Sequence, residues 1–243
     1  MENRLNLVQE RDRLDSISKS FGSDYDFDRV FQLRLGELLK PLVRGKSCLD
    51  VGCASGVMSS VLAGEAGSLD LLDGSAAYIE EARRRLAGHT NVRFYAELFE
   101  EFVPDAPYDV VTCSHVLEHV QDPVELLVRM KGWLATAGTL VVCVPNAFSV
   151  HRLLGVEMGL AQSPYELSER DHAIGHRRVY DPQSLARDIE AAGLRHGTLH
   201  GILLKPFPNA QMNALPEAIV DGLLSVGSRI ANHASEIYYE CSV

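Results

Sequence analysis

The chain has 243 residues, of which 46% are hydrophobic and 23% are charged, and its formal net charge is −10. This length suffices for one large domain with a sizeable core. The acidic balance, without a basic stripe, disfavours binding to a nucleic-acid backbone. We see no signal-peptide pattern and no apolar run of membrane-spanning length, so a cytoplasmic protein is expected. The five cysteines form no C-x-x-C pair, which favours buried thiols over disulfides or a zinc site.

Residues 1–40 are charged and carry apolar residues at helical spacing, which predicts an N-terminal helical cap. An alternation of strand and helix begins near residue 47 and continues to residue 144. Helices are predicted where N-cap residues precede apolar periodicity, at Ser75–Leu86, Asp122–Leu134 and Asp181–Ala192. The candidate strands are Cys48–Val51, Leu69–Leu72, Val92–Tyr95, Asp109–Cys113, Thr139–Val144, Thr198–Leu204 and Glu236–Cys241.

This alternation predicts one α/β domain over residues 1–243, built as a Rossmann-like, doubly wound, mostly parallel seven-stranded sheet with helices on both faces. The cofactor-binding core spans residues 47–144, and ligands are expected at the carboxyl ends of its strands. Residues 145–180 lack a clear strand and are too long for an idle connection. We interpret them, together with residues 206–231, as insertions that form a lid over the substrate.

The stretch Leu-Asp-Val-Gly-Cys-Ala-Ser-Gly, residues 49–56, is a strand that ends at an acid and breaks into small residues. Small residues let the backbone approach a ligand and direct amide groups toward it. A dinucleotide fingerprint needs glycines at 52, 54 and 57, and two of these are Ala54 and Val57. A P-loop is excluded because no lysine follows. A tight turn without a ligand remains the alternative for this stretch alone.

Residues 49–56 resemble motif I of class I S-adenosylmethionine-dependent methyltransferases, with Ala54 at a position that is usually glycine. The segment Tyr108–Pro123 resembles the fourth strand and following loop of that family, most closely in the ubiquinone-biosynthesis O-methyltransferase subgroup. Residues 31–36 resemble the upstream helix of the same subgroup. The resemblance extends from about residue 30 to residue 150, plus the segment near 175–182. It implies a methyltransferase fold and the cofactor S-adenosylmethionine, which is released as S-adenosylhomocysteine.

The resemblance also implies roles for individual residues. Asp73, at the end of the second strand, is expected to accept hydrogen bonds from the ribose hydroxyls, and Arg34 to bind the methionyl carboxylate. Alternatively, Arg34 is a surface arginine and Glu97 a solvent-facing acid. The full set of expected cofactor contacts is Arg34, Asp50, Gly52, Cys53, Ala54, Gly56, Asp73, Gly74, Ser75, Glu97, Leu98 and Ser114.

Histidine suits a base that activates a hydroxyl acceptor, because its ordinary pKa is about 6.5. His119 and His115 are the candidates for catalysis, although His119 could equally fix the loop before Asp122 and His115 could pack on the cofactor. The expected substrate contacts are Asn146, His176, Arg177 and Tyr180. The spacing of Asp171, His172 and His176 permits metal binding, but no further cluster supports it, so no metal is expected.

The sequence therefore predicts a methyltransferase that modifies an oxygen or nitrogen of a small molecule in cofactor or secondary-metabolite biosynthesis. Its predicted partner is the methyl acceptor, with no nucleic acid and no membrane span, and it is expected to be a monomer or homodimer. The first alternative is a catalytically silent module that binds the same cofactor, because no catalytic residue is obligatory for this chemistry. The second is a nicotinamide-dependent oxidoreductase, which Ala54 and Val57 disfavour.

Overall fold

The fold is taken from a computed structural model that describes residues 2–20 and 27–243. Seven strands form one sheet in the order β3-β2-β1-β4-β5-β7-β6, in which β7 is antiparallel to both of its neighbours. The other pairs are parallel. The strands are β1 Ser47–Val51, β2 Ser68–Asp73, β3 Val92–Ala96, β4 Tyr108–Ser114, β5 Leu134–Pro145, β6 Arg195–Gly201 and β7 Glu236–Ser242. The predicted mostly parallel, seven-stranded sheet is confirmed.

Helices cover both faces of this sheet. They are α1 Glu2–Ser20, α2 Asp28–Val43, α3 Val57–Leu62, α4 Ala76–Arg85, α5 Pro123–Trp133, α6 Val150–Glu157, α7 Glu169–Ala173, α8 Pro182–Ala191, α9 Asn209–Met212 and α10 Glu217–Arg229. One buried cluster joins the sheet to α5 and α8, and a second joins it to α2, α3, α4 and α10. Each face of the sheet is therefore removed from water, as a parallel sheet requires.

The three predicted helix starts are confirmed. Ser75 caps α4 by accepting from the backbone N–H of Tyr78, and Asp122 caps α5 by accepting from that of Glu125. Asp181 caps α8 in a capping box with Ser184. These side chains satisfy backbone donors that have no partner inside the helix.

The predicted sixth strand, Thr198–Leu204, is three residues too late. The apolar run after Gly201 suggested a longer strand, but β6 ends at Gly201, and only Ile202 still donates its backbone N–H to Glu236 of β7. The side chains of Ile202 and Leu203 are buried in the cluster that contains Leu224 of α10. The backbone N–H of Leu204 donates to the carbonyl of Leu223 instead of to a strand. A helix can bury such a run as well as a sheet can, so the pattern alone did not set the end of the strand.

The expected cap divides into two different helices. Helix α2 continues to Val43 and packs on α3 so closely that a Cβ on Gly36 would lie 2.8 Å from Cβ of Val61. It therefore belongs to the core of the sheet. Helix α1 instead contacts α4 at the cofactor end. Residues 1 and 21–26 of the expected cap lie outside the described residues.

The two expected insertions are helical. Residues 145–180 contain α6 and α7, and α6 buries none of its residues. In the second insertion, α10 is part of the core, because a Cβ on Gly227 would lie 2.5 Å from the backbone of Leu203. All five cysteines are buried and free, as expected. None of the described helices has the length and apolar character needed to span a membrane.

Candidate active site

A cavity of about 1680 Å³ lies at the carboxyl ends of β1, β2 and β4. Helix α1 and the start of α2 form one wall, and the segment from α6 to α7 forms another. The turn after β1, the loop after β4 and the start of β7 form its floor. This is the end of a parallel α/β sheet at which ligands bind.

The turn after β1 has three residues with left-handed backbone. The φ angles are 70° at Gly52, 46° at Ala54 and 76° at Gly56. Glycine adopts this conformation without strain, whereas alanine does not. A Cβ at Gly52 would also lie 2.4 Å from a methyl group of Val116, so a side chain is excluded there. The turn thus holds the backbone against the cavity, which Gly52, Cys53 and Ala54 all line.

Asp73 lies where β2 meets the cavity. Its two carboxylate oxygens accept the backbone N–H groups of Ala54 and Ser75 at 3.0 and 2.8 Å. Burial raises the pKa of Asp73 to about 6, against these two hydrogen bonds. A carboxylate offers about four acceptor positions, so two remain for hydroxyl groups in the cavity. This geometry fits the ribose of a nucleoside cofactor.

Asp50 lies behind Asp73, at the end of β1. It is fully enclosed, and it accepts from the hydroxyls of Ser59 at 2.6 Å and Thr112 at 2.8 Å. Burial raises its pKa to about 6. Because both oxygens are held by β4 and α3, Asp50 fixes the position of the turn.

Apolar side chains pack closely beside Asp73. A Cβ at Gly74 would come within 2.8 Å of Leu98 and 2.5 Å of Leu14 from α1. Leu98 and Phe99 line the cavity after β3. This end of the cavity therefore has an apolar surface, on which the flat ring of a base such as adenine could lie.

Three of the expected site residues lie away from the cavity. Arg34 is exposed on α2 and does not line the cavity, which Phe31 and Gln32 do. Glu97 also lies outside the lining. Tyr180 is buried in the core, and its hydroxyl donates to Asp188 at 3.0 Å. Each of these residues sits in the expected element, but its side chain faces another direction.

Two further expected residues act through packing. Gly56 packs on α4, because a Cβ built at this position would lie only 3.1 Å from Cβ of Ala82. Ser75 caps α4, and its hydroxyl donates to Asp15 of α1. Neither lines the cavity, although Ser114 does.

His115 lies at the tip of β4 with an unusual φ of 57°. Its Nε2 is 3.1 Å from a carboxylate oxygen of Glu236, and its Nδ1 is 3.7 Å from one of Glu118. Burial opposes the charged imidazolium, but the contacts with Glu236, Cys143 and Glu118 together outweigh burial and raise the pKa of His115 well above 6.5. The two acids beside its ring therefore favour the protonated form of His115, which makes it a poor proton acceptor.

His119 has the opposite character. Burial, together with the nearby His176 and His115, lowers its pKa to about 3. Its ring meets that of His176 edge to face, with centroids 4.6 Å apart. His119 is therefore neutral at neutral pH and a weak base.

His176 is held by the carboxylate of Asp171, which the sequence indicated only as part of a spacing that permits metal binding. Its Nδ1 lies 2.9 Å from Oδ1 of Asp171, and both residues line the cavity. Asp171 also accepts from Arg152 and from the backbone and hydroxyl of Ser168. These contacts outweigh burial and hold the pKa of Asp171 below its usual range. The capping box at Ser168 was a readable signal for this aspartate.

The loop after β4 is fastened by two consecutive arginines. Arg177 donates from Nε to the carbonyl of His119 at 2.8 Å, and it remains exposed at the cavity. Arg178 donates to the carbonyls of Leu117, Val120 and Gln121. The segment from α7 therefore fixes the loop that presents Glu118 and His119.

Asn146 lines the cavity, but its amide is fully engaged. It donates to the carbonyls of Asn232 and Ala234 and accepts from the backbone N–H of Phe148. These hydrogen bonds are those of a residue that caps a turn, and they leave its amide without a free donor for a substrate.

Two sets of side chains in the described part of the chain bring metal-ligand atoms within 4.8 Å of one another. They are His115, Cys143 and Glu236, and Glu118, His119 and His176. In the first set, burial raises the pKa of the Cys143 thiol. The expectation of no metal stays a prediction.

Comparisons with known proteins agree with this geometry. A family model described as a methyltransferase domain matches residues 24–197. The chain is 27% identical over 172 residues to the ubiquinone biosynthesis O-methyltransferase of Aeromonas salmonicida, a match covering 68% of this chain and 69% of that protein. It is 29% identical over 178 residues to the enzyme of the same name from Thiobacillus denitrificans, covering 72% and 75%.

Solved structures share the fold. The DhpI complex with SAM and HEP has a TM-score of 0.62 at 18% identity and covers 98% of both chains. Magnesium protoporphyrin IX methyltransferase from Synechocystis, with bound SAH, has a TM-score of 0.65 at 14% identity and covers 96% of this chain and 98% of that one. Because the family model spans more than half of the sequence, the chain belongs to the methyltransferase domain family, and its resemblance to class I S-adenosylmethionine-dependent methyltransferases is confirmed.

Proposed function

We propose that this methyltransferase transfers the methyl group of S-adenosylmethionine to an oxygen or nitrogen of a small molecule. The proposal rests on one observation: at the edge of a large cavity, the turn after β1 is bonded to the end of β2 by the backbone N–H of Ala54, which donates to the carboxylate of Asp73. When bound, the cofactor supplies an electrophilic methyl group on a sulfonium.

The residues that would hold the cofactor form a continuous surface. Asp73 would accept from the ribose hydroxyls, the turn at residues 52–54 would lie against the methionyl part, and Leu98 would lie against the adenine. Ser114 and His115, at the tip of β4, would lie beside the reacting centre. The lining of this end of the cavity thus combines hydrogen-bond acceptors with apolar side chains, as a nucleoside requires.

The remaining space supports a small acceptor. Ligand pockets usually measure about 300–1000 Å³, and a cavity of about 1680 Å³ leaves room for an acceptor beside the cofactor. The segment with α6 and α7 closes over that part, in which Asp171, His176 and Arg177 lie. The net charge of −10 argues against a nucleic-acid acceptor.

The test is calorimetric titration with S-adenosylmethionine, followed by mass spectrometry of mixtures with phenols, sugars and amines. We expect binding in the micromolar range and transfer to one acceptor class, and Asp73→Ala should weaken binding at least about tenfold. Absence of binding would overturn the proposal. Binding without transfer to any acceptor would favour a silent cofactor-binding module instead.

A further inference from the structure

Four histidines line the cavity. Burial lowers the pKa of His151 to about 3, which makes it a weak base. The other three, His115, His119 and His176, differ in which ring nitrogens have a partner.

His115 has a carboxylate beside each nitrogen, those of Glu236 and Glu118. Burial opposes its charged form, but these two acids and Cys143 together raise the pKa of His115 well above 6.5. His115 is therefore unsuited to remove a proton from an acceptor.

His119 is also unsuited. Its ring hydrogen-bonds to the backbone of Gly175, and burial beside two other histidines lowers its pKa to about 3. A base of that strength gives little driving force for removing the proton of a hydroxyl. No carboxylate among the described residues forms an ion pair with its ring.

His176 has the arrangement of an oriented base. Nδ1 lies 2.9 Å from Asp171, and the side chain of His176 is only 8% exposed. Hydrogen bonding at Nδ1 places the ring proton there and leaves Nε2 with its lone pair. The carboxylate itself is fixed by Arg152 at 2.9 Å and by Ser168. Many enzymes activate a nucleophile with such an arrangement, in which a base is held in position by a third group.

A second buried acid supports the same histidine. Glu118 is 1% exposed, and neither of its carboxylate oxygens has a hydrogen-bond partner among the described residues. One of them lies within 4.8 Å of ligand-type nitrogens of His119 and His176. Burial raises the pKa of Glu118, which His115 and His176 partly oppose. Glu118 contacts His115 at 3.7 Å without a hydrogen bond, and an acid at this place also stabilises positive charge that develops on His176.

We propose that His176 is the general base of the reaction, that Asp171 is its positioning residue, and that the acceptor atom is the oxygen of a hydroxyl group. A neutral amine has a free lone pair and needs no such base, whereas a hydroxyl gains nucleophilicity when its proton leaves. This inference rests on the proposed function and selects oxygen over nitrogen within it.

The step balances within the active site. The acceptor oxygen forms a bond to the methyl carbon while the bond from methyl to sulfur breaks and its electron pair stays on sulfur. The hydroxyl proton moves to Nε2 of His176. The charged imidazole lies between Asp171 and Glu118 until it releases the proton to solvent.

Two methyl acceptors that differ in acidity can show whether His176 acts as a base or only has a structural role. Catechol is almost entirely protonated at about pH 7.5, because a simple phenol has a pKa of about 10, whereas 4-nitrocatechol is substantially ionised. We expect His176→Asn to lower kcat with catechol at least about a hundredfold and with 4-nitrocatechol less than about tenfold. His172→Asn, an exposed position on α7 outside the cavity lining, is the matched control and should match the native enzyme with both.

Equal losses with both catechols would show a structural role and overturn the assignment. Transfer to amines alone, with cofactor binding intact, would overturn the hydroxyl acceptor but leave the proposed function standing. If cofactor binding itself is absent, the proposed function fails first.

A second measurement does not depend on an acceptor. Nitrogen-15 NMR of the histidine rings reports which nitrogen carries the proton, and we expect His176 to be the Nδ1–H form in the native protein with cofactor. Asp171→Asn should lose this preference while the signals of His172 stay unchanged. Finding the Nε2–H form in the native protein would overturn the proposal, whatever acceptor the enzyme uses.

Discussion

The backbone N–H of Ala54 donates to the carboxylate of Asp73 over 3.0 Å. This bond joins the turn after β1 to the tip of β2, and it holds Ala54 at a φ of 46°, where alanine is strained. The family places a glycine at this position. The chain therefore keeps the geometry of the turn at the expense of backbone strain.

We predict that Ala54→Gly raises the free energy of unfolding by about 0.5–1 kcal/mol, since relief of the left-handed alanine exceeds the entropy that glycine adds to the unfolded chain. Denaturant unfolding measures the change. Ala77→Gly on the exposed face of α4 is the control and should lower stability by about 1 kcal/mol. A loss of stability at both positions would show that the turn is not strained.

Asp73 makes cofactor binding depend on pH. Its pKa is raised to about 6 by burial, so the ionised form that accepts hydroxyl hydrogens is lost as the pH falls through 6. We predict that the Kd for S-adenosylmethionine rises toward about tenfold per pH unit below that value. Asp73→Asn should bind more weakly and remove the dependence. Asp109→Asn, at the opposite end of β4, should behave as the native protein does.

The raised pKa of Asp73 affects the stability of the folded chain in the opposite direction: the free energy of unfolding falls, rather than rises, as the pH increases. The folded pKa of Asp73 lies above its ordinary value of 3.8, so the folded chain binds more protons between about pH 4 and 6. The contribution of Asp73 to stability is therefore greatest below pH 4 and falls as the pH rises through 6. We expect Asp73→Asn without cofactor to gain stability over the native protein above pH 6, and the difference to shrink near pH 4. Thermal unfolding across this range would show the reverse trend if the carboxyl were not buried.

Much of the fold could be predicted because each parallel strand and each capped helix leaves a local pattern. Ser75, Asp122 and Asp181 marked helix starts, and Asp73 marked a strand tip, with no knowledge of tertiary contacts. Side-chain direction was not predictable in the same way. Tyr180 is the last residue of the segment 145–180 that was expected to form a lid, yet its side chain turns into the core to reach Asp188, and only the packed structure determines that direction.

The histidines show a second limit of the sequence. His119 and His115 were selected as bases from their place after β4, but the protonation of His115 depends on Glu236, which is 121 residues away in the chain, and that of His119 depends on its burial beside His176. Asp171 and His176, five residues apart, were visible as a pair in the sequence. Their proximity to Glu118, which suggests a role in catalysis, becomes visible only in the folded chain.

Cofactor affinity should not depend on Arg34. Its side chain is exposed on α2, away from the cavity, so Arg34→Ala should leave the Kd for S-adenosylmethionine within about twofold of the native value. Arg13 of α1 lines the cavity and is the matched variant. Arg13→Ala should weaken binding by about tenfold, the value of one hydrogen bond to a charged group. A large effect of Arg34→Ala alone would restore the role that the family resemblance implies.

The last prediction concerns Arg178, whose guanidinium spans the loop after β4. It donates to the carbonyl oxygens of Leu117, Val120 and Gln121 at 2.8, 2.6 and 3.0 Å. Lysine has no planar fork and cannot reproduce these three bonds. We therefore expect Arg178→Lys to lower kcat by about tenfold or more while the Kd for S-adenosylmethionine changes little, because Asp73 and the turn after β1 are untouched.

Amide hydrogen exchange measures directly whether the loop after β4 loosens when Arg178 is replaced. In Arg178→Lys the amides of residues 117–121 should exchange faster, and those of β1 and β2 should keep their protection. Arg187→Ala, an arginine of α8 whose side chain is 75% exposed, is the control and should change neither exchange nor kcat. If Arg178→Lys kept the native kcat although the loop exchanged faster, the rigid placement of Glu118 and His119 would not be needed for methyl transfer.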